Sequence, residues 1–390
     1  MTKIEQPLPD HSPLGGSGAY RWLVCSGSVP LSNGVQDEES EFAAEGTVAH
    51  MLAEVSLKMG TDAWEEIGTT INDIEVTQEM ADAVQVYLSD VRYRYPDRNQ
   101  GNWFVEKKFH CPTIHPLFFG QGDNVYIDFE GRELHVHDYK HGAGIVVEVQ
   151  RNPQMMYYGA GILEEMDLWK DIDKVTLHIA QPRGWHSDGP LRRWSITTED
   201  LETWLDDELI PGMERALTST DTVSGGHCRF CPARSRACPQ LMADMKELEE
   251  LMTQVVAKGG AAQLTSPQIG RFLTLYDTAK IVAKAAEKTA FSRLQAGKKV
   301  PGRKLAASRK NQAWKDDAEA QAKLVFGKEA LTVPVLKSPA QIKALPGGEA
   351  FAAEHSFKPK GGLTVVASDD KRKTVSRDTT ALFTDQTEKK

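Results

Sequence analysis

The chain has 390 residues, a formal net charge of −9 and five cysteines. Its length supports a large core and more than one domain; no run of about 18 apolar residues offers a membrane-crossing helix, and so few cysteines argue against a disulfide framework. The net charge hides an asymmetry, since residues 271–390 carry 24 Lys+Arg against 13 Asp+Glu while residues 1–270 carry 22 against 42, a pattern that suits a phosphate-gripping region beside an acidic body.

Residues 1–16 read as a flexible polar tail with no apolar signal core, so a cytoplasmic protein is expected. A short helix is predicted over 17–24, ending in a turn at Cys25. After a polar loop, a helix over 41–59 carries Phe42, Val48, Leu52 and Val55 on its apolar face. His50 and Glu54 lie four apart on that helix and share a face, so both can reach one ion. Alone, such a histidine is more often packed or solvated. A second helix is predicted over 77–93, and a strand over 103–109 carries Glu106.

The centre of the chain follows. Gly120 and Gly122 set a turn before Asp123, residues 125–127 alternate as a strand, and a second strand runs over 134–139. Asp138 and Lys140 are two apart and share a strand face, and pairing brings Asp123 beside them. Two carboxylates can hold a divalent ion, while the lysine orients water and stabilises charge on a scissile phosphate. A brief strand is predicted over 145–149, and Asn152-Pro153 opens a helix on which Gln154 and Tyr158 share a face, placed to position a phosphate or the attacking water. Strands over 174–180 and 191–196 and a helix over 198–217 complete an order that indicates an α/β fold, a sandwich around a mixed sheet flanked by helices.

Cys228, Cys231 and Cys238 form a C-x2-C-x6-C group, the strongest single signal in the chain. Three thiolates can converge on one soft metal centre, with Cys25 the natural fourth ligand and His227 a competitor; spacing alone leaves zinc and a [4Fe–4S] cluster both open. Cys111 reads as a structural thiol. Beyond them come predicted helices over 247–257, 266–294, 316–326 and 339–345. Lys280, Lys284 and Lys288 make one stripe on the second, ordinarily a solvated face but able to follow a DNA strand. A polar tail closes the sequence over 374–390.

Gly46 with His50, Gly120 with Asp123, Asp138 with Lys140 and Gln154 with Tyr158 arrive in an order that resembles the PD-(D/E)XK nuclease superfamily. The likeness is to its RecB-like branch with an iron–sulfur staple, as in AddB and related CRISPR-associated nucleases, and covers residues 17–239. The resemblance implies that His50, Asp123, Asp138 and the Tyr139 carbonyl bind Mg²⁺ or Mn²⁺, that Lys140 is the catalytic lysine, and that Cys25, Cys228, Cys231 and Cys238 hold a [4Fe–4S] cluster in preference to zinc. The domains expected from it are a nuclease domain over 17–245 and a mainly helical basic region over 246–373.

The whole chain also resembles a family of uncharacterised phage and prophage proteins whose members tend to be encoded near single-strand annealing proteins. That implies a DNA exonuclease of recombination, with such a recombinase as a possible partner and no membrane association. No Walker A sequence is present, so no ATP-driven motor is expected. The competing reading is a non-catalytic DNA-binding protein that uses the cysteine staple and the basic C-terminal region.

Overall fold

Segments with apolar residues three and four apart form the helices, and those alternating every second residue form the strands. The computed structural model describes residues 9, 11–35, 41–99, 101–236, 238–303 and 349. Two short helices, α1 (Ala19–Trp22) and α2 (Ser28–Ser32), precede α3 (Glu41–Met59). A small hairpin, β1 (Thr70–Ile71) and β2 (Ile74–Glu75), turns on Asn72 and Asp73, whose positive φ angles a type I′ turn requires. The Thr77 hydroxyl accepts from the Met80 amide and so caps α4 (Gln78–Arg94). Next come β3 (Trp103–His110), β4 (Phe119–Asp128), β5 (Glu133–Tyr139), α5 (Pro153–Glu165), β6 (Lys174–Ala180) and β7 (Leu191–Thr197). A π-helical turn joins α6 (Thr198–Trp204) to α7 (Ile210–Thr218), and α8 (Pro239–Ala257) packs along α9 (Ser266–Gln295).

The five strands β3 to β7 lie side by side in chain order, antiparallel except for the parallel pair β5 and β6. That pair is parallel because α5 carries the chain back across one face. Leu134 and Val136 of β5 point into the core under α5, with Val175, Leu177, Ile162 and Leu163. Tyr139 points the other way, into a second core built by Val48, Leu52, Val84, Tyr87 and Leu88 of α3 and α4. The result is a mixed α/β sandwich with helices on both faces of the sheet and a helical segment toward the C-terminus. No described helix is long and apolar enough to cross a membrane.

Several expected boundaries move. Residues 145–149 form a loop instead of a strand, because the buried Gln181 amide takes the place of a neighbouring strand. It accepts from the Val147 amide at 3.0 Å and donates to the carbonyls of Gly142 and Ile145 at 2.8 and 2.7 Å. Gly120 and Gly122 sit inside β4 rather than in a turn. A Cβ on Gly120 would stand 2.9 Å from the Phe109 ring, so glycine there serves close approach. The helix expected over 198–217 is interrupted by its π turn. The helix expected from 247 already begins at Pro239, so residue 245 falls inside α8.

Residues 11–16 pack against the fold, with Leu14 fully buried and the Ser12 hydroxyl donating to the Leu117 carbonyl at 2.7 Å. The helices expected over 316–326 and 339–345 and the tail over 374–390 lie outside the described residues.

Candidate active site

The sheet loses its regular alternation where the acids gather. Gly122 and Val125 both face the α5 core although they are three apart, and Phe104 and Phe109 both pack there although they are five apart. The break falls between the paired rows Val105–Asn124 and Lys107–Gly122, where Glu106 lies opposite Asp123. Glu106 has a φ of 56°, a left-handed backbone that costs a non-glycine residue about 1–3 kcal/mol. The backbone thus turns two acids out of the regular ladder. On the other side of β4, the pairing of Asn124 with His137 sets Asp123 beside Asp138 of β5.

Four elements supply the expected site, α3, β4, β5 with its C-terminal end, and α5. His50 of α3 places Nδ1 3.3 Å from Asp123 Oδ2, and the Tyr139 amide donates to the same oxygen at 2.8 Å. Lys140 Nζ donates to Asp138 Oδ1 at 3.1 Å and to Gln154 Oε1 at 3.0 Å. The Gln154 amide in turn donates to Asp138 Oδ1 and to the Tyr158 hydroxyl, at 3.1 and 3.0 Å. Gln154 is presented here because the Asn152 side chain and Pro153 start α5 at this point. His50, Asp123, Asp138, Tyr139, Lys140, Gln154 and Tyr158 are therefore all brought together.

The electrostatics are those of a cation site. Burial alone would lower the His50 pKa, but the charge and hydrogen bond of Asp123 overcome it and push it up to about 9. Burial would raise Asp123, yet His50, the Tyr139 amide and Lys140 hold it below the ordinary carboxylate range. Asp138 is 2% exposed and goes the other way, raised by burial and by the neighbouring Asp123 against the pull of Lys140. Its Oδ2 makes no hydrogen bond; the Lys140 ammonium 2.8 Å away is not aligned for one. A buried carboxylate oxygen left in this state fits a divalent ion held by His50, Asp123 and Asp138.

Two groups were not assigned a role from the sequence. Glu106 lines the same hollow as His50, Glu54 and Asp123, accepts from Gln121, and is pushed up to about 7 by burial and the Asp123 charge. Its signal in the sequence was an acid directly after the apolar run Trp103-Phe104-Val105. Tyr87 of α4 lines the hollow as well, with its buried hydroxyl unpartnered. The second group braces the site: Arg183 donates to Glu45 of α3 at 3.0 Å and meets His141 Nε2 at 2.5 Å, while the Tyr139 hydroxyl lies 2.8 Å from His141 Nδ1. This ties α3, one and a half turns before His50, to the end of β5. Its residues come from three distant segments, and no local pattern marks them. Glu54 pairs with Lys58 at 2.5 Å.

The segments that carry or adjoin the cysteines meet around α1 and α2. Cys25 follows α1, Cys228 lies inside the 3-10 turn Gly226–Phe230 and Cys231 directly after it, Cys238 precedes α8, and all four are buried. The Val223 amide lies 3.4 Å from Cys25 Sγ and its carbonyl 3.9 Å from Cys228 Sγ, so residue 223 bridges the early and late segments. Gly27 makes the closure possible: its amide donates to the Asp221 carbonyl at 2.8 Å, and a Cβ there would stand 2.7 Å from that oxygen.

Asp90, His137 and His178 place ligand atoms within 4.8 Å of one another on the other face of the sheet. The His137 and His178 rings are stacked 4.0 Å apart at 6°, so their in-plane lone pairs cannot point at one ion, and Arg94 Nε donates to both Asp90 oxygens at 2.9 Å. Burial holds both imidazoles well below the ordinary histidine range, and their nitrogens are taken up by other side chains, His137 Nε2 2.7 Å from the Tyr95 hydroxyl and His178 Nε2 3.1 Å from His135 Nδ1. The family described as a protein of unknown function (DUF2800) matches residues 11–373, and the chain belongs to that family.

Proposed function

We propose that the chain is a Mg²⁺- or Mn²⁺-dependent DNA nuclease of the PD-(D/E)XK type, an exonuclease of phage-type recombination. The observation that carries this reading is the meeting of His50, Asp123 and Asp138, from α3, β4 and β5, around a buried carboxylate oxygen beside Lys140. When bound, the ion would neutralise phosphate charge and make a coordinated water more acidic.

The chain's own residues would do the rest. Lys140, held between Asp138 and Gln154, would set an ammonium against the negative charge on the phosphoryl oxygens as water adds. Gln154 and Tyr158 fix that lysine and wall the site on the α5 side. Water's oxygen would join phosphorus as the water gives up a proton to solvent, the P–O bond to the leaving sugar would break, and the departing oxygen would take up a proton from solvent.

Cys25, Cys228, Cys231 and Cys238 are assigned a structural [4Fe–4S] cluster. One tetrahedral zinc with Zn–S near 2.3 Å would hold its sulfurs about 3.8 Å apart. Among the described residues no three of these sulfurs lie within 4.8 Å of one another, and the choice of iron over zinc rests on the resemblance to the RecB-like nucleases. Anaerobically purified protein is expected to be brown and to lose its colour in Cys228→Ala; a colourless protein with one zinc overturns the iron assignment.

The test of the enzyme is cleavage of end-labelled linear DNA and closed circular DNA with Mg²⁺ or Mn²⁺. Linear DNA is expected to be shortened from its ends and the circle to resist. Wild-type degradation no greater than that of Asp138→Ala and Lys140→Ala would sink the proposal.

A further inference from the structure

Around the cysteine staple stand arginines that have no carboxylate partner among the described residues. Arg92, Arg94, Arg132, Arg151, Arg183 and Arg271 all pair with carboxylates. Around the staple the pattern changes. Arg21 donates to the Ser32 hydroxyl, Arg234 to the Cys231 carbonyl and Arg236 to the Gly34 carbonyl, at 3.2, 3.2 and 2.8 Å. Arg229 is exposed between two of the cysteines, and among the described residues none of these four arginines has a carboxylate partner. In a chain of net charge −9, four such cations on one face attract a polyanion.

Two aromatic rings stand in the middle of this charge. Tyr20 of α1 and Phe230 meet edge to face, with centroids 6.5 Å apart and planes at 83°, and they are 37% and 54% exposed. The charges of Arg21 and Arg234 both act on the Tyr20 phenol, opposing the rise that burial gives it, so cations and rings share one surface. Rings left open to solvent beside arginines that have no carboxylate partner among the described residues match the needs of an unpaired nucleic-acid strand. Bases stack on ring faces, and phosphates take the charge. A duplex keeps its bases stacked inside and offers the rings nothing.

The surface also leads toward the candidate active site. The turn just before α1 is pressed onto α5, where a Cβ on Gly16 would stand 2.8 Å from the rings of Tyr157 and Tyr158. Tyr158 is the outer member of the Lys140–Gln154 chain. Tyr20 thus lies four positions along the chain from the contact with the site wall.

We propose that Tyr20 and Phe230, with Arg21, Arg229, Arg234 and Arg236, form a platform that grips single-stranded DNA over the staple and feeds it toward Asp138 and Lys140. The feeding role rests on the nuclease reading; the grip does not. The experiment measures binding of the full chain, with its cluster intact, to a labelled thymidine 20-mer and to a blunt duplex of equal length, by fluorescence anisotropy in EDTA so that cleavage is silent.

Wild type is expected to prefer the single strand. Phe230→Ala should weaken single-strand binding about five-fold or more, the size of one lost base stack, while Phe230→Trp should restore it. Arg229→Ala combined with Arg234→Ala should lower the salt slope by about 1.4, for two phosphate contacts at roughly 0.7 each. No binding by wild type, or single-strand affinity unchanged in both Phe230→Ala and Tyr20→Ala, overturns the platform. Because binding is read without metal, its failure is separate from failure of the cleavage assay.

Discussion

Replacing Asp138 by asparagine separates the energetic cost of the site from its use. Asp138 is 2% exposed, its carboxyl is raised by burial and by Asp123, and Oδ2 lacks a hydrogen bond. An acid held in this way lowers the stability of the metal-free fold. Asparagine keeps an oxygen to accept from Lys140 and Gln154 and removes the charge, and Lys140, at 23% exposed, can turn to water. The metal-free variant is therefore expected to melt no more than about 2 °C below wild type, or above it.

Metal reverses the order. An ion at 100 times its Kd stabilises the folded state by about 2.7 kcal/mol, which is about 5 °C at roughly 2 °C per kcal/mol for a domain this large. Thermal melts with and without Mn²⁺ should show that rise in wild type and none in Asp138→Asn, which should also lose cleavage by about 100-fold or more. A full Mn²⁺ shift in the variant, or a metal-free melt more than about 5 °C below wild type, would refute the reasoning.

Other changes probe the frame. Gly161→Ala drives a methyl into the Phe109 ring, and such overpacking should cost about 1–3 kcal/mol, read in urea unfolding. Gly27→Ala meets the backbone of residues 220 and 221, so this variant should hold less iron per chain while still giving a Mn²⁺ shift. Without metal, His50 titrates near 9 in the fold against 6.5 when unfolded. Its stabilisation is thus complete below pH 6.5 and lost as pH rises through 9. Unfolding free energies in EDTA at pH 7 and 9.5 should show that fall in wild type and not in His50→Gln. Glu106, pushed up to about 7 from 4.5, adds a separate loss of stability between those values that should persist in the variant.

Much of the centre was legible because it is local. Asp138 and Lys140 share a face through the two-residue strand repeat, Gln154 and Tyr158 through the helical one, and both pairs meet as their spacing requires. The same logic failed at Gly120 and Gly122, where local turn chemistry competed with a packing reason, the Phe109 ring, that lies on another strand. It failed again over 145–149, since an apolar run says nothing of the distant Gln181 that satisfies its backbone.

Residue order by itself determined the element types and the neighbourly pairs, because helix and strand periods and cap residues act over a few positions. Only the tertiary structure decided that Glu106 turns out of its strand toward Asp123, that Glu45, His141 and Arg183 brace α3 against β5, and that Tyr20 meets Phe230 over the staple. Those contacts join segments up to 210 positions apart, as Tyr20 and Phe230 are. They depend on how whole elements pack, which no local pattern encodes.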